Sequence, residues 1–209
     1  LLYKYRRSAY PHAVVIENPE NSADAMIIDA NEQGAGASMA AHIRQLTELL
    51  PLPASSAGMS LFVSGDRSSV GKSTCCLALL ITLIRAGVPA GDLAYIKPVT
   101  QCEAEQDVVR YCTAVGIACQ GIGPVVFYKG FTRAFLKGET ESSEQLVQQA
   151  VAAVRALQRK HKFVIVDGVG YPAVGSICGV SNAHIASALN APVFLIGKSG
   201  VGDAVDSYN

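Results

Sequence analysis

The chain has 209 residues, half of them hydrophobic, and its 17 basic residues are balanced by 17 acidic ones. That length holds one principal α/β core plus an appendage, and the zero net charge argues against recruiting nucleic acid or an anionic membrane by bulk electrostatics. No apolar run reaches the roughly 18 residues of a membrane-spanning helix, and six cysteines without C-x-x-C spacing argue against a zinc or disulfide framework, so a soluble protein of the cytoplasm or another reducing compartment is expected.

The chain opens at Leu1 without the basic start, apolar middle and small-residue cleavage site of a signal peptide, so this end reads as a fragment edge. The β-branched runs AVVIE (13–17) and DAMIIDA (24–30), joined by NPENSA, predict a hairpin. A helix follows, with Met39, Ile43, Leu46 and Leu50 on one face behind Ser38 as cap, and PLPASSAG then reads as a linker.

From Ser60 strands, glycine-rich turns and helices alternate, the pattern of a mainly parallel α/β sheet with helices on both faces. The predicted strands are LFVS (61–64), LAYIKPV (93–99), PVVFY (124–128), FVIVDG (163–168) and PVFLIG (192–197). Helices are expected over 72–86, 104–115, 130–137, 143–160 and 181–189. Tyr171-Pro172 and the run from Gly175 to Gly179 are expected to form a loop over the sheet's carboxyl edge. The final stretch, APVFLIGKSGVGDAVDSYN, finishes a strand and opens a glycine turn, so the domain is expected to be truncated there.

The chemistry concentrates in GDRSSVGKST, between the first of these strands and the first helix. A turn from Gly65 to Gly71 aims backbone N–H groups inward and the helix beginning near Lys72 adds its positive end, which makes an anion cradle of Gly65, Ser68, Ser69, Val70, Gly71, Lys72, Ser73 and Thr74. Lys72 is placed to reach the β and γ phosphates of a nucleotide and Ser73 to ligate Mg²⁺, the roles of these residue types in a P-loop. Gly65 lies five residues before Gly-Lys rather than four, with Asp66 at the usual glycine position. FVIVDG is an apolar strand ending in an acid, the form of a Walker B strand, which puts Asp167 at the sheet edge as a second metal ligand.

The longer loop, together with AYIKPV, resembles the dethiobiotin synthetase family over about residues 60–209. The resemblance implies a P-loop ATPase domain over 60–209, and the residues before it read as a hairpin-helix appendage (1–50) and a linker (51–59). It implies that Lys97, from Lys-Pro-Val, contacts both substrate and ATP phosphate, so that Lys72 and Lys97 are the catalytic pair. It also matches Asp107, in EQDVVRYC, to an acid that helps hold Mg²⁺; an aspartate opening a helix equally suits the helix dipole, and Lys97 could be an ordinary strand-end lysine. A small-molecule substrate, no nucleic-acid or membrane partner, and a homodimer complete what is implied.

The sequence departs from the family at DGVGYPAVGSICGV, where Glu-Gly-Ala-Gly-Gly is usual, and at TQCE, where Gln101 stands in place of a substrate-binding serine. Two functions follow: a ligase that spends ATP on carboxylating and cyclising a small amine, or a nucleotide-binding regulatory module like the front domain of long phosphate acetyltransferases. A third, an amidotransferase-type ligase, would require a glutaminase domain. Lys129, Arg133 and Lys137 at four-residue spacing read as a solvated helix face before an anion grip, and His12, His42, His161 and His184 carry no motif.

Overall fold

The computed structural model describes residues 13–18, 21–29, 58–101 and 106–197. In chain order the strands are β1 (Ala13–Asn18), β2 (Asn21–Asp29), β3 (Met59–Gly65), β4 (Leu93–Ile96), β5 (Val99–Thr100), β6 (Ala118–Gln120), β7 (Val125–Val126), β8 (Phe163–Asp167) and β9 (Val193–Ile196). The helices are α1 (Lys72–Arg85), α2 (Asp107–Val115), α3 (Phe131–Leu136), α4 (Ser143–Gln158), α5 (Pro172–Ile177) and α6 (Asn182–Leu189). The helix expected behind Ser38 and most of the linker lie outside the described residues.

The main sheet runs β2-β1-β9-β3-β8-β4-β6. Its five strands from β9 to β6 are parallel, as the strand–helix alternation predicts. The hairpin forms as read, with Val14 opposite Ile28 and Ile16 opposite Met26. It is built into the same sheet, β1 lying antiparallel to β9 with Val15 opposite Leu195.

Side chains alternate between the two faces of each strand. Phe62, Ala94, Ile96, Val164 and Val166 pack with Leu146, Ala150, Val154, Ile185 and Leu189 of α4 and α6. Their neighbours Val63, Leu93, Tyr95, Ile165 and Phe194 pack with Cys76, Leu79, Leu80 and Leu83 of α1 and with Val108 and Cys112 of α2. Strands buried on both faces are apolar throughout, so the few polar groups at their carboxyl ends stand out.

Four elements differ from expectation. The run 93–99 splits at Lys97-Pro98, because Pro98 offers no N–H to the ladder, and β5 instead pairs with β7 in a separate two-stranded sheet. The PVVFY run accordingly shortens to two residues of strand. β6 escaped prediction because it is only three residues long and half-buried, without an apolar run. Residues expected to form a loop after Tyr171 coil instead into α5, whose first residue is Pro172, a position where the missing N–H costs nothing.

Candidate functional site

The carboxyl ends of β3, β4 and β8 bring together the loop 65–71, Lys97 and Asp167. Gly65, Tyr95, Lys97 and Asp167 share the α1 side of the sheet by the alternation that puts Val63, Leu93 and Ile165 there.

In the loop, Ser69 (φ 60°) and Gly71 (φ 99°) are both left-handed, and left-handed residues in such a turn bring neighbouring N–H groups to one side. Among the described residues no side chain caps α1, and its first turn holds no acid, which leaves its opening N–H groups and positive dipole end for an anion. The Lys72 side chain folds back across Gly65, where a Cβ would stand 3.1 Å from its Cγ and Cδ, and its Nζ donates to Arg67 O at 3.2 Å. Burial lowers the pKa of this ammonium, Asp167 opposes the shift and Lys97 adds to it. Asp66 Oδ2 is paired with its neighbour, Arg67 Nη2 lying 2.9 Å away, while its Oδ1 is buried without a hydrogen-bond partner.

Asp167 is completely buried. Its Oδ2 accepts from Ser73 Oγ at 2.7 Å, Tyr95 Oη at 2.8 Å and Lys97 Nζ at 3.0 Å. Its Oδ1 is also buried and has no hydrogen-bond partner. A carboxylate oxygen left bare in the interior is costly unless a ligand meets it, and a hard cation suits that oxygen together with the Ser73 hydroxyl. The residues therefore fit Mg²⁺, which typically takes one or two protein oxygens and fills its shell with phosphates and water. Among the described residues no group of three or more His, Cys, Asp or Glu side chains is placed to hold a metal ion.

Asp107 is not brought to this point. It opens α2 with its side chain 86% exposed, paired to Arg110 at 3.2 Å, and the segment 102–105 before it lies outside the described residues. Ser68 and Gln101 both approach Gly170, in the turn after Asp167, their Oγ and Oε1 lying 3.8 and 3.9 Å from where a Cβ on that glycine would stand. Thr74 is exposed, and Val70 and Ser68 are half-buried along the loop.

Two residues of the site were not singled out from sequence. Tyr95 is fully buried; burial and the adjacent Asp167 push its phenol far above the usual range, so it stays protonated and donates to Asp167 Oδ2. Its signal was a lone hydroxyl in a strand otherwise apolar up to Lys97, two residues before that lysine on the same face. Asn182, first residue of α6, accepts from Val169 N at 2.9 Å and donates to Ser64 Oγ at 3.1 Å, tying the turn after Asp167 to β3. A Cβ on Gly168 would stand 2.8 Å from both Asn182 Oδ1 and Val63 O, so only glycine fits after the acid.

The surrounding groups add little reactivity. Cys75 and Cys76 stay protonated, the first pushed up to about 11 by burial and the nearby Asp167 carboxylate and the second raised well above its ordinary value by the same causes, which removes thiolate chemistry. Lys129 and Arg133 are exposed and Lys137 lies 3.7 Å from Glu139, the solvated arrangement. His161 Nδ1 bonds Gly91 O at 2.9 Å and His184 is exposed, while His12 and His42 lie outside the described residues. No described helix is long and apolar enough to cross a membrane.

A family model described as AAA domain matches residues 59–208. The ATP-dependent dethiobiotin synthetase BioD of Anaeromyxobacter dehalogenans strain 2CP-C is 28% identical over 144 residues, 68% of this chain and 64% of that protein. The protein of the same description from Anaeromyxobacter sp. strain K is 28% identical over 146 residues with the same coverage. The chain thus spans about 64% of the length of the curated relatives it matches. No solved structure gives a significant match.

Proposed function

The chain belongs to the AAA-domain family of dethiobiotin synthetase-like P-loop ATPases, and from that premise we propose that it is an ATP- and magnesium-dependent ligase acting on a small amine. In this reading the carbamate of the amine attacks the γ phosphate of ATP, an oxygen–phosphorus bond forms as the bond to the bridging oxygen of ADP breaks, and a second amine closes the mixed anhydride to a cyclic urea with release of phosphate. Diaminopelargonate, in biotin biosynthesis, is the acceptor this family relationship suggests, and the working unit is a homodimer.

The observation that carries the reading is the convergence of Ser73, Tyr95 and Lys97 on one oxygen of a buried acid, beside a helix start left open to an anion. Mg²⁺ held by Ser73 and Asp167 would neutralise charge on the β and γ phosphates. The loop's N–H groups and Lys72 bind and orient the triphosphate. Lys97, buried with its Nζ 3.0 Å from Asp167 Oδ2, can turn from that oxygen to stabilise charge developing on the transferred group. Such a transfer depends on positioning more than on an acid or base, which suits a site whose thiols stay protonated.

A second reading, a regulatory nucleotide-binding module, is favoured by Gln101, whose amide leans over the turn after Asp167 where a smaller residue would leave room for an acceptor. One assay separates the two. The ligase forms ADP only when diaminopelargonate and bicarbonate accompany Mg²⁺ and ATP; a module binds ATP by calorimetry and forms none. ADP formation indifferent to both additions would overturn the ligase reading.

A further inference from the structure

We infer that Tyr95 is the positioning residue that keeps Asp167 turned toward the metal once Ser73 and Lys97 have left it for their ligands. The inference rests on the nucleotide- and magnesium-binding reading above. Of the three donors on Asp167 Oδ2, two have work elsewhere: the Ser73 hydroxyl is needed as a metal ligand and the Lys97 ammonium by the phosphoryl group.

Tyr95 has no such alternative. The residue is 0% exposed, within the α1-face core cluster that also holds Val63, Cys76, Leu80 and Ile165, and a buried phenol keeps the partner it has. Its hydrogen bond, 2.8 Å to Oδ2, therefore remains after the other two are withdrawn. By occupying Oδ2 it fixes which oxygen is left over, the partnerless Oδ1. Hydrogen bonds to a ligating carboxylate fix its orientation, and their loss typically lowers metal affinity by about 10- to 100-fold.

The test is Tyr95→Phe, which keeps the ring, with ATP affinity measured by calorimetry in EDTA and in saturating Mg²⁺. Metal-free affinity should hold within about twofold while the gain from Mg²⁺ shrinks by about tenfold or more. In an Asp167→Asn background, adding Tyr95→Phe should leave the already reduced Mg²⁺ gain unchanged. A variant that keeps the wild-type gain, or that loses affinity equally with and without metal, would overturn the role of Tyr95 alone. A wild-type protein that binds no ATP in either condition would overturn the nucleotide reading and this inference with it.

Discussion

The starts of α1 and α4 solve the same problem in opposite ways. At α4, Ser142 accepts from Gln145 N at 3.3 Å and Gln145 Oε1 accepts from Ser142 N at 2.9 Å, a complete capping box with Glu144 in the first turn. At α1 the preceding residue is a left-handed glycine without a capping side chain, no acid follows, and a buried lysine takes the first position. The first arrangement satisfies the helix from within the chain; the second leaves it unsatisfied at the carboxyl edge of the sheet, where ligands of open α/β folds bind. Stability is given up where an anion is to be held.

Substitutions at the two starts and at the acid facing α1 can break that contrast. The largest effect is expected at Asp167→Ala, which strands the Lys97 ammonium, only 5% exposed, without its carboxylate. Loss of one partner from a buried pair costs about 3–5 kcal/mol, to be read from the urea midpoint of the ligand-free protein. Lys72→Met comes next. It removes charge-assisted bonds to phosphate worth about 1.5–3 kcal/mol each, so ATP affinity by calorimetry should fall by about a hundredfold or more.

The same Lys72 variant sharpens the comparison through its ligand-free stability. Desolvation holds the folded-state pKa of Lys72 below its ordinary 10.5 despite Asp167. Between the two values the unfolded chain binds more protons, so stability rises with pH through that window and the penalty is fully present below it. Lys72→Met removes the penalty: the variant should melt above the wild type near neutral pH, with the margin closing as pH approaches 10.5. Melting scans across pH check it, and a variant that melts lower throughout would mean that α1 sacrifices nothing at its start.

How much of this was legible in sequence follows from how local each signal is. The loop could be read because strand, glycine, Gly-Lys-Ser and helix are contiguous, and Asp167 because an apolar strand ends on an acid. Tyr95 and Asn182 could not be read from neighbours, since their partners Asp167 and Ser64 lie 72 and 118 residues away. Strand alternation alone would have put Tyr95 on the lysine's face. Asp107 fits a helix opener as well as a metal ligand, and the structure shows the local ion pair with Arg110. At Lys97-Pro98 the apolar run hid a break that only the missing N–H of Pro98 explains.

Gly71→Ala should have a smaller effect than either charge substitution. No atom lies within 4 Å of the added Cβ, so the whole penalty is the left-handed backbone at φ 99°, about 1–2 kcal/mol. Because that residue sets the direction of the opening N–H groups, ATP affinity should fall alongside the melting temperature.

Ser142→Ala at α4 should move only one of those two readouts. It deletes the cap on Gln145 N at a cost of about 1 kcal/mol, or about 2–4 °C in a chain of this size. Mg²⁺-ATP affinity should stay at the wild-type value, since Ser142 belongs to a helix that packs on the face away from α1. A capping loss at α4 that also weakened nucleotide binding would mean that the two helix starts are coupled through the sheet, and the division between a start built for stability and one built for a ligand would fail.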